Sequence, residues 1–225
     1  MSQTKKTYSK KLSSAETAVL AWFLIDAATH LFCELPFVIH SLTTTVNRAT
    51  HWSAILWKEY AKADPRWGRF HDCTVALEVP TSILWGPLSL ACAYGVYYKK
   101  PWRFYWQTIL SLGELYGNWM TFGPEWLNQY MLGTTELDPQ GNWVHKWIYL
   151  FFANIVWVII PILLLVESTR TITAACAKAQ AQHLESYHLG FWSAFLIVLT
   201  LSSFFVIFVM FAILLPLGLL PTIVL

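Results

Sequence analysis

Apolar runs of bilayer-spanning length recur along this chain. About 20 apolar residues cross a hydrocarbon core as a helix. Such runs fall at about Ala18–Ile39, Cys73–Tyr97, Phe104–Thr121, Trp147–Val166 and Phe191–Leu215, the last without a charged residue. In lipid every backbone N–H and C=O must find its partner inside the protein, so only helices or a closed barrel can span. Barrel strands alternate apolar and polar residues over about ten positions; these runs are continuous and predict helices. The chain therefore reads as all-α, a polytopic membrane helix bundle with about five transmembrane helices.

Composition agrees. Hydrophobic residues make up 56% and charged residues 12%, against about 25% charged in an average soluble domain. In water such a surface would carry large sticky patches. The formal net charge of +2 is too small to call for a nucleic acid or an acidic partner. Cys33, Cys73, Cys92 and Cys176 contain no CxxC pair and read as small apolar filler rather than a disulfide or metal framework.

Lys and Arg in short loops set orientation. Lys5, Lys6, Lys10 and Lys11 precede the first span, and Lys99, Lys100 and Arg103 lie between the second and third. Glu125, Glu136 and Asp138 face only Lys146 after the third. This places the N-terminus in the cytoplasm. The loop at about His40–Asp72 is mixed in charge, and its Trp52, Trp57, Tyr60 and Trp67 suggest an interfacial segment. The expected organisation is a basic cytoplasmic N-terminus (1–17), a four-helix transmembrane core (18–170), a cytoplasmic linker (171–190) and a further C-terminal transmembrane helix (191–225).

Ionisable residues inside a membrane are costly, roughly 2.5–3.5 kcal/mol each on insertion scales, so each is a candidate for function. Asp26, His30 and Glu34 step by four residues, drift only about 80° around a helix and share a face. Two readings fit: a proton-transfer pair, since a carboxylate beside an imidazole holds and activates the ring, or a polar cluster that glues helices together. Glu78 stands among Val75, Ala76, Leu77 and Val79 and must face a polar partner or a cavity. His71 and Asp72 before it fit either a shared face with Glu78 or a helix cap. Glu114 and Asn118 are four apart and could satisfy each other. Asn154 and Trp157 are three apart; one offers hydrogen bonds, the other an aromatic face attractive to a cation. Thirteen tryptophans exceed what interfacial belts need and suit a large flat ligand or a carbocation.

These residues, with their surroundings, resemble the emopamil-binding proteins. The resemblance rests on His30-x-x-x-Glu34, on Leu56-Trp57-Lys58-Glu59-Tyr60-Ala61-Lys62, on Glu78, on Leu84-Trp85-Gly86-Pro87-Leu88-Ser89-Leu90, on Leu115-Tyr116-Gly117 and on Asn154-x-x-Trp157, in that order. It covers about Trp22 to Arg170, the EXPERA core. It implies sterol Δ8–Δ7 isomerisation in the endoplasmic reticulum membrane through a carbocation, with no metal or other cofactor. By motif, His30, Glu34 and Glu78 would handle protons. Asn154, Trp157, Asp26, Glu114 and Tyr116 would line the substrate or cation site. The implied partners are a hydrophobic small molecule, cationic amphiphilic amines as inhibitors and the bilayer. Gly113-x-x-x-Gly117 permits close helix contact and with it a homodimer.

The chain departs from that pattern in several places. The core begins without a preceding helix and a fifth span follows it. His71 stands where an aspartate is usual, and Asp26 and Glu114 are acids where neutral residues are expected. Two alternatives therefore stay open: a specialised-metabolism cyclase or isomerase that protonates an alkene or epoxide of a terpenoid or polyketide, and a non-catalytic sterol- or amine-binding protein of the sigma-receptor type.

Overall fold

The computed structural model describes residues 11–137 and 142–181. Met1–Ala175 form one compact unit and Cys176–Leu225 a second; all that follows concerns the first. The regular structure among the described residues is helical, with no strand. Four long helices carry the fold: α1 (Ser14–Thr43), α3 (Asp72–Tyr97), α4 (Arg103–Leu132) and α5 (Val144–Ala181), with a short α2 (Ile55–Tyr60) in the loop after α1. Of these, α1, α3 and α5 are long and apolar enough to cross a membrane. At 30 residues, α4 is also long enough, about 45 Å at 1.5 Å per residue, but more polar. The expected span at Phe191–Leu215 lies outside the described residues.

Local chemistry sets the helix ends. Ser13 caps α1 in a reciprocal box with Glu16: its hydroxyl accepts from the Glu16 N–H at 3.2 Å, and Glu16 accepts from the Ser13 N–H at 2.8 Å. His71 caps α3, its ring accepting from the Thr74 N–H at 3.3 Å, so the cap alternative holds there. Gly133 ends α4 at φ +68°, a left-handed turn that glycine adopts without strain.

Two helices widen where the site will fall. Thr29–Glu34 in α1 and Thr81–Trp85 in α3 are π-helical turns. The Leu35 N–H bonds the His30 carbonyl, and the Gly86 N–H bonds that of Thr81. In both, a proline (Pro36, Pro87) comes two residues after the turn. Having no N–H to offer the carbonyl four residues back, proline removes the bond that would hold α register. The widened turns pack on one another. Gly86 permits the approach, since a Cβ there would lie 2.8 Å from Leu31 Cδ2.

Two apolar clusters bracket these turns. One holds Trp22, Phe23, Cys92, Val96, Leu110 and Leu164; the other holds Phe37, Val38, Val46, Trp57, Trp67 and Val75. Polar clamps lie toward both ends. At one, Gln107 donates to Leu164 O, Glu167 and Ser168 at 2.9–3.0 Å, and Arg103 pairs with Glu167 at 2.8 Å. At the other, the loop folds back on α4 through Arg66. The Gly113–Gly117 step faces its own chain: a Cβ at Gly113 would lie 2.6 Å from the Trp85 ring, and one at Gly117 4.0 Å from Leu77.

Candidate active site

α1, α3, α4, α5 and the aromatic loop enclose a cavity of about 600 Å³, within the range of small-molecule sites. Its wall is mostly apolar and aromatic, with Trp57, Tyr60, Trp67, Trp85 and Trp157 among the rings. Trp57 and Trp67 stack at 4.6 Å and 6°, and the Trp57 indole donates to Cys33 O at 2.8 Å. The ionisable side chains on the wall are His30, Glu34, Glu78 and Glu114.

His30 is the centre of the array. Its Nδ1 lies 2.6 Å from Glu34 Oε2 and its Nε2 3.2 Å from Asp26 Oδ1. The second contact is close but off the line of a hydrogen bond. Asp26, fully buried, accepts from the Ser89 hydroxyl at 2.6 Å and the Trp157 indole N–H at 2.9 Å. Glu78 faces Glu34, and its Oε2 is buried without a partner. Glu114 lies on the other side: Asp26, His30 and Glu114 offer atoms within 4.8 Å of one another, the one such group among the described residues that could converge on a cation. The imidazole thus stands between two carboxyl pairs, Glu34 with Glu78 and Asp26 with Glu114. Such an array can hold protons, pass them along and present an acid to an apolar ligand.

The structure brings His30, Glu34, Glu78, Glu114, Asn154 and Trp157 onto one cavity, with Asp26 behind them. Asn154 donates to Tyr149 O at 2.8 Å and to the Tyr60 hydroxyl at 3.1 Å. Burial pushes the Tyr60 phenol above its usual pKa, keeping it neutral as that acceptor. Tyr116 stands at the edge, 63% exposed. The Glu114–Asn118 pairing does not form between side chains: Asn118 Nδ2 donates to the Glu114 backbone carbonyl at 3.1 Å and to Trp157 O at 3.3 Å. Trp157 O is available because Pro161, four residues on, has no N–H. Sequence reasoning gave no role to Ser89 or to the Trp157 N–H, the donors that hold Asp26. Both stand in quoted motifs, but only the fold joins them to it.

Fold and site together define a membrane helix bundle enclosing an apolar cavity with an acid–imidazole array in its wall. The model of the EXPERA family (EXPanded EBP superfamily) matches residues 52–168, and the chain belongs to that family. It is 32% identical to a guinea-pig (Cavia porcellus) 3-beta-hydroxysteroid-Delta(8),Delta(7)-isomerase over 67% of this chain and 63% of the relative, so the match spans less than two thirds of that protein. The mouse (Mus musculus) protein of the same name is 31% identical over 73% of this chain and 68% of its own length. A protoglabretal synthase of Citrus sinensis is 27% identical over 76% of this chain and 78% of the relative.

Proposed function

We propose that this chain is a cofactor-independent acid–base isomerase acting through a carbocation on a hydrophobic isoprenoid, with sterol Δ8–Δ7 isomerisation as its reaction. The observation that carries this reading is His30 between carboxyl groups on the wall of a dry aromatic cavity. Protonating an alkene needs an acid kept from water, and a carboxylic acid in apolar surroundings meets that need. Carboxyl groups as close as Glu34 and Glu78 hold one proton between them. Delivered to the alkene, it forms a C–H bond and leaves a tertiary cation on the neighbouring carbon. A base of the same array then takes a proton from the next carbon, and those C–H electrons become the new double bond. His30 links the donor and acceptor carboxyls, so the proton taken can return to the acid. Trp85 and Trp157 face the cation without bonding to it. Asn154, Asp26, Glu114 and Tyr116 complete the substrate surroundings. Cationic amphiphilic amines would mimic the cation and compete. The proposed location is the endoplasmic reticulum membrane with the N-terminus cytoplasmic.

The test is product analysis: membranes carrying the chain, a Δ8 sterol, heavy water and mass spectrometry. A Δ7 product with one deuterium supports the reading. A folded protein that binds a cationic amine and converts no Δ8 sterol removes the sterol assignment. One observation favours a second reading, a terpenoid cyclase or isomerase: Asp26 and Glu114 add a second buried carboxyl pair that a ring-alkene shift does not use. The resemblance to a protoglabretal synthase fits it.

A further inference from the structure

Glu114 is the cavity-facing group that the double-bond shift leaves idle. It is only 5% exposed, it lines the cavity, and neither carboxyl oxygen meets a hydrogen-bond partner among the described residues. The nearest amide, Asn118, is committed to two backbone carbonyls. Behind Glu114 stands Asp26, already served by Ser89 and Trp157 and set against His30. Two carboxyl groups facing each other in a dry site share one proton. The donors fixed on Asp26 hold its charge, so Glu114 is the member that carries the proton. A neutral carboxylic acid offers one O–H donor and one C=O acceptor. Buried polar atoms in proteins are paired with very few exceptions, and a hydrocarbon cannot pair these. A carbocation is also a poor occupant beside this group, because a free carboxyl lone pair would bond to it and form an ester.

We propose that Glu114, backed by Asp26, is a seat for an uncharged oxygen function of the substrate, a hydroxyl or an epoxide, and selects oxygenated isoprenoids over hydrocarbons. This rests on the acid–base reading for placing an isoprenoid in the cavity. A hydroxyl would use both the donor and the acceptor of Glu114; an epoxide would use the donor alone.

The experiment is native mass spectrometry of the full chain in nanodiscs, titrated with two matched pairs: cholest-8-en-3β-ol against cholest-8-ene, and 2,3-epoxysqualene against squalene. The wild type is expected to prefer the oxygenated member of at least one pair by about tenfold, as for a buried hydrogen bond; which pair shows it separates a ring hydroxyl from a terpenoid epoxide. Glu114→Leu should bring that ratio close to one. Glu114→Gln, which keeps a donor and an acceptor, should retain most of it. A wild type without preference in either pair overturns the proposal, as does a preference that survives Glu114→Leu. So does a stoichiometric metal ion held by Asp26, His30 and Glu114 in the purified protein. The readout is binding, so it is independent of turnover. Oxygen preference without deuterium-labelled product sinks the isomerase reading and keeps the seat; labelled product without oxygen preference does the reverse.

Discussion

Replacing Arg66 by methionine should unfold the loop side of the cavity, and the structure sets the size of the effect. Arg66 is 3% exposed between Asp64, which is fully buried, and Glu125, also 3% exposed. Its Nε and Nη2 donate to the two Asp64 oxygens at 2.8 and 2.7 Å, Nη2 also donates to Thr121 O at 2.9 Å, and Nη1 reaches Glu125 at 3.3 Å. Burial is the largest influence on the guanidinium and opposes its charge, but Asp64, with Glu125, outweighs it and holds the pKa above the ordinary value. Removing one partner of a buried pair leaves uncompensated charge and costs roughly 3–5 kcal/mol; here two carboxylates would be stranded. Exposed Arg69–Glu136, at 50% and 39%, should be worth about 0–1 kcal/mol. The assay is denaturant unfolding of the detergent-solubilised chain. Arg66→Met should lose roughly 3–5 kcal/mol, and adding Asp64→Asn and Glu125→Gln should recover most of it, since neutral replacements of buried ion networks are often tolerated. A loss below about 1 kcal/mol for the single variant, or no recovery in the triple, would refute the reasoning.

Glu34→Gln and Glu78→Gln should each abolish turnover while the protein still elutes as a folded species; wild-type rates in both would remove those carboxyls from the chemistry. Trp157→Ala should weaken binding of a cationic amine by about 1–2 kcal/mol, the worth of a desolvated cation–π contact, as read by radioligand displacement; unchanged affinity would place the amine elsewhere. Gly113→Val should lower amine affinity about tenfold or more, because a Cβ at Gly113 falls 2.6 Å from the Trp85 ring and drives that wall into the cavity. Undiminished binding would show that Trp85 has room to retreat.

The spanning helices were legible because lipid leaves the backbone so few solutions. Their bounds were less so. The third apolar run ends near Thr121, yet α4 continues through Glu125, Asn128 and Gln129 to Gly133, because the Arg66 clamp and the following loop give those polar residues partners. The stripe of Asp26, His30 and Glu34 was visible as a periodicity. Its widened turn was not: Pro36 announces a missing N–H, but whether a helix kinks, breaks or shifts to a π turn depends on what packs against it, here Leu31 on Gly86. The donors that hold Asp26 lie 63 and 131 residues away, beyond anything spacing can report.

The misread pair shows how such distant chemistry shapes the site. Glu114 and Asn118 sit at the spacing at which an amide and an acid meet on a helix, and in isolation they would satisfy each other. Pro161 on another helix changes the outcome. It strips the Trp157 carbonyl of its helical partner, and in lipid a carbonyl without one is costly. Asn118 turns to that carbonyl at 3.3 Å, which ties α4 to α5 beside the indole that holds Asp26. The acid is thereby left without its amide and faces the cavity. A proline lacking one N–H on α5 thus leads, through two side chains, to an unpaired carboxyl on the wall of the pocket, and that carboxyl is the group available to read an oxygen on whatever the pocket holds.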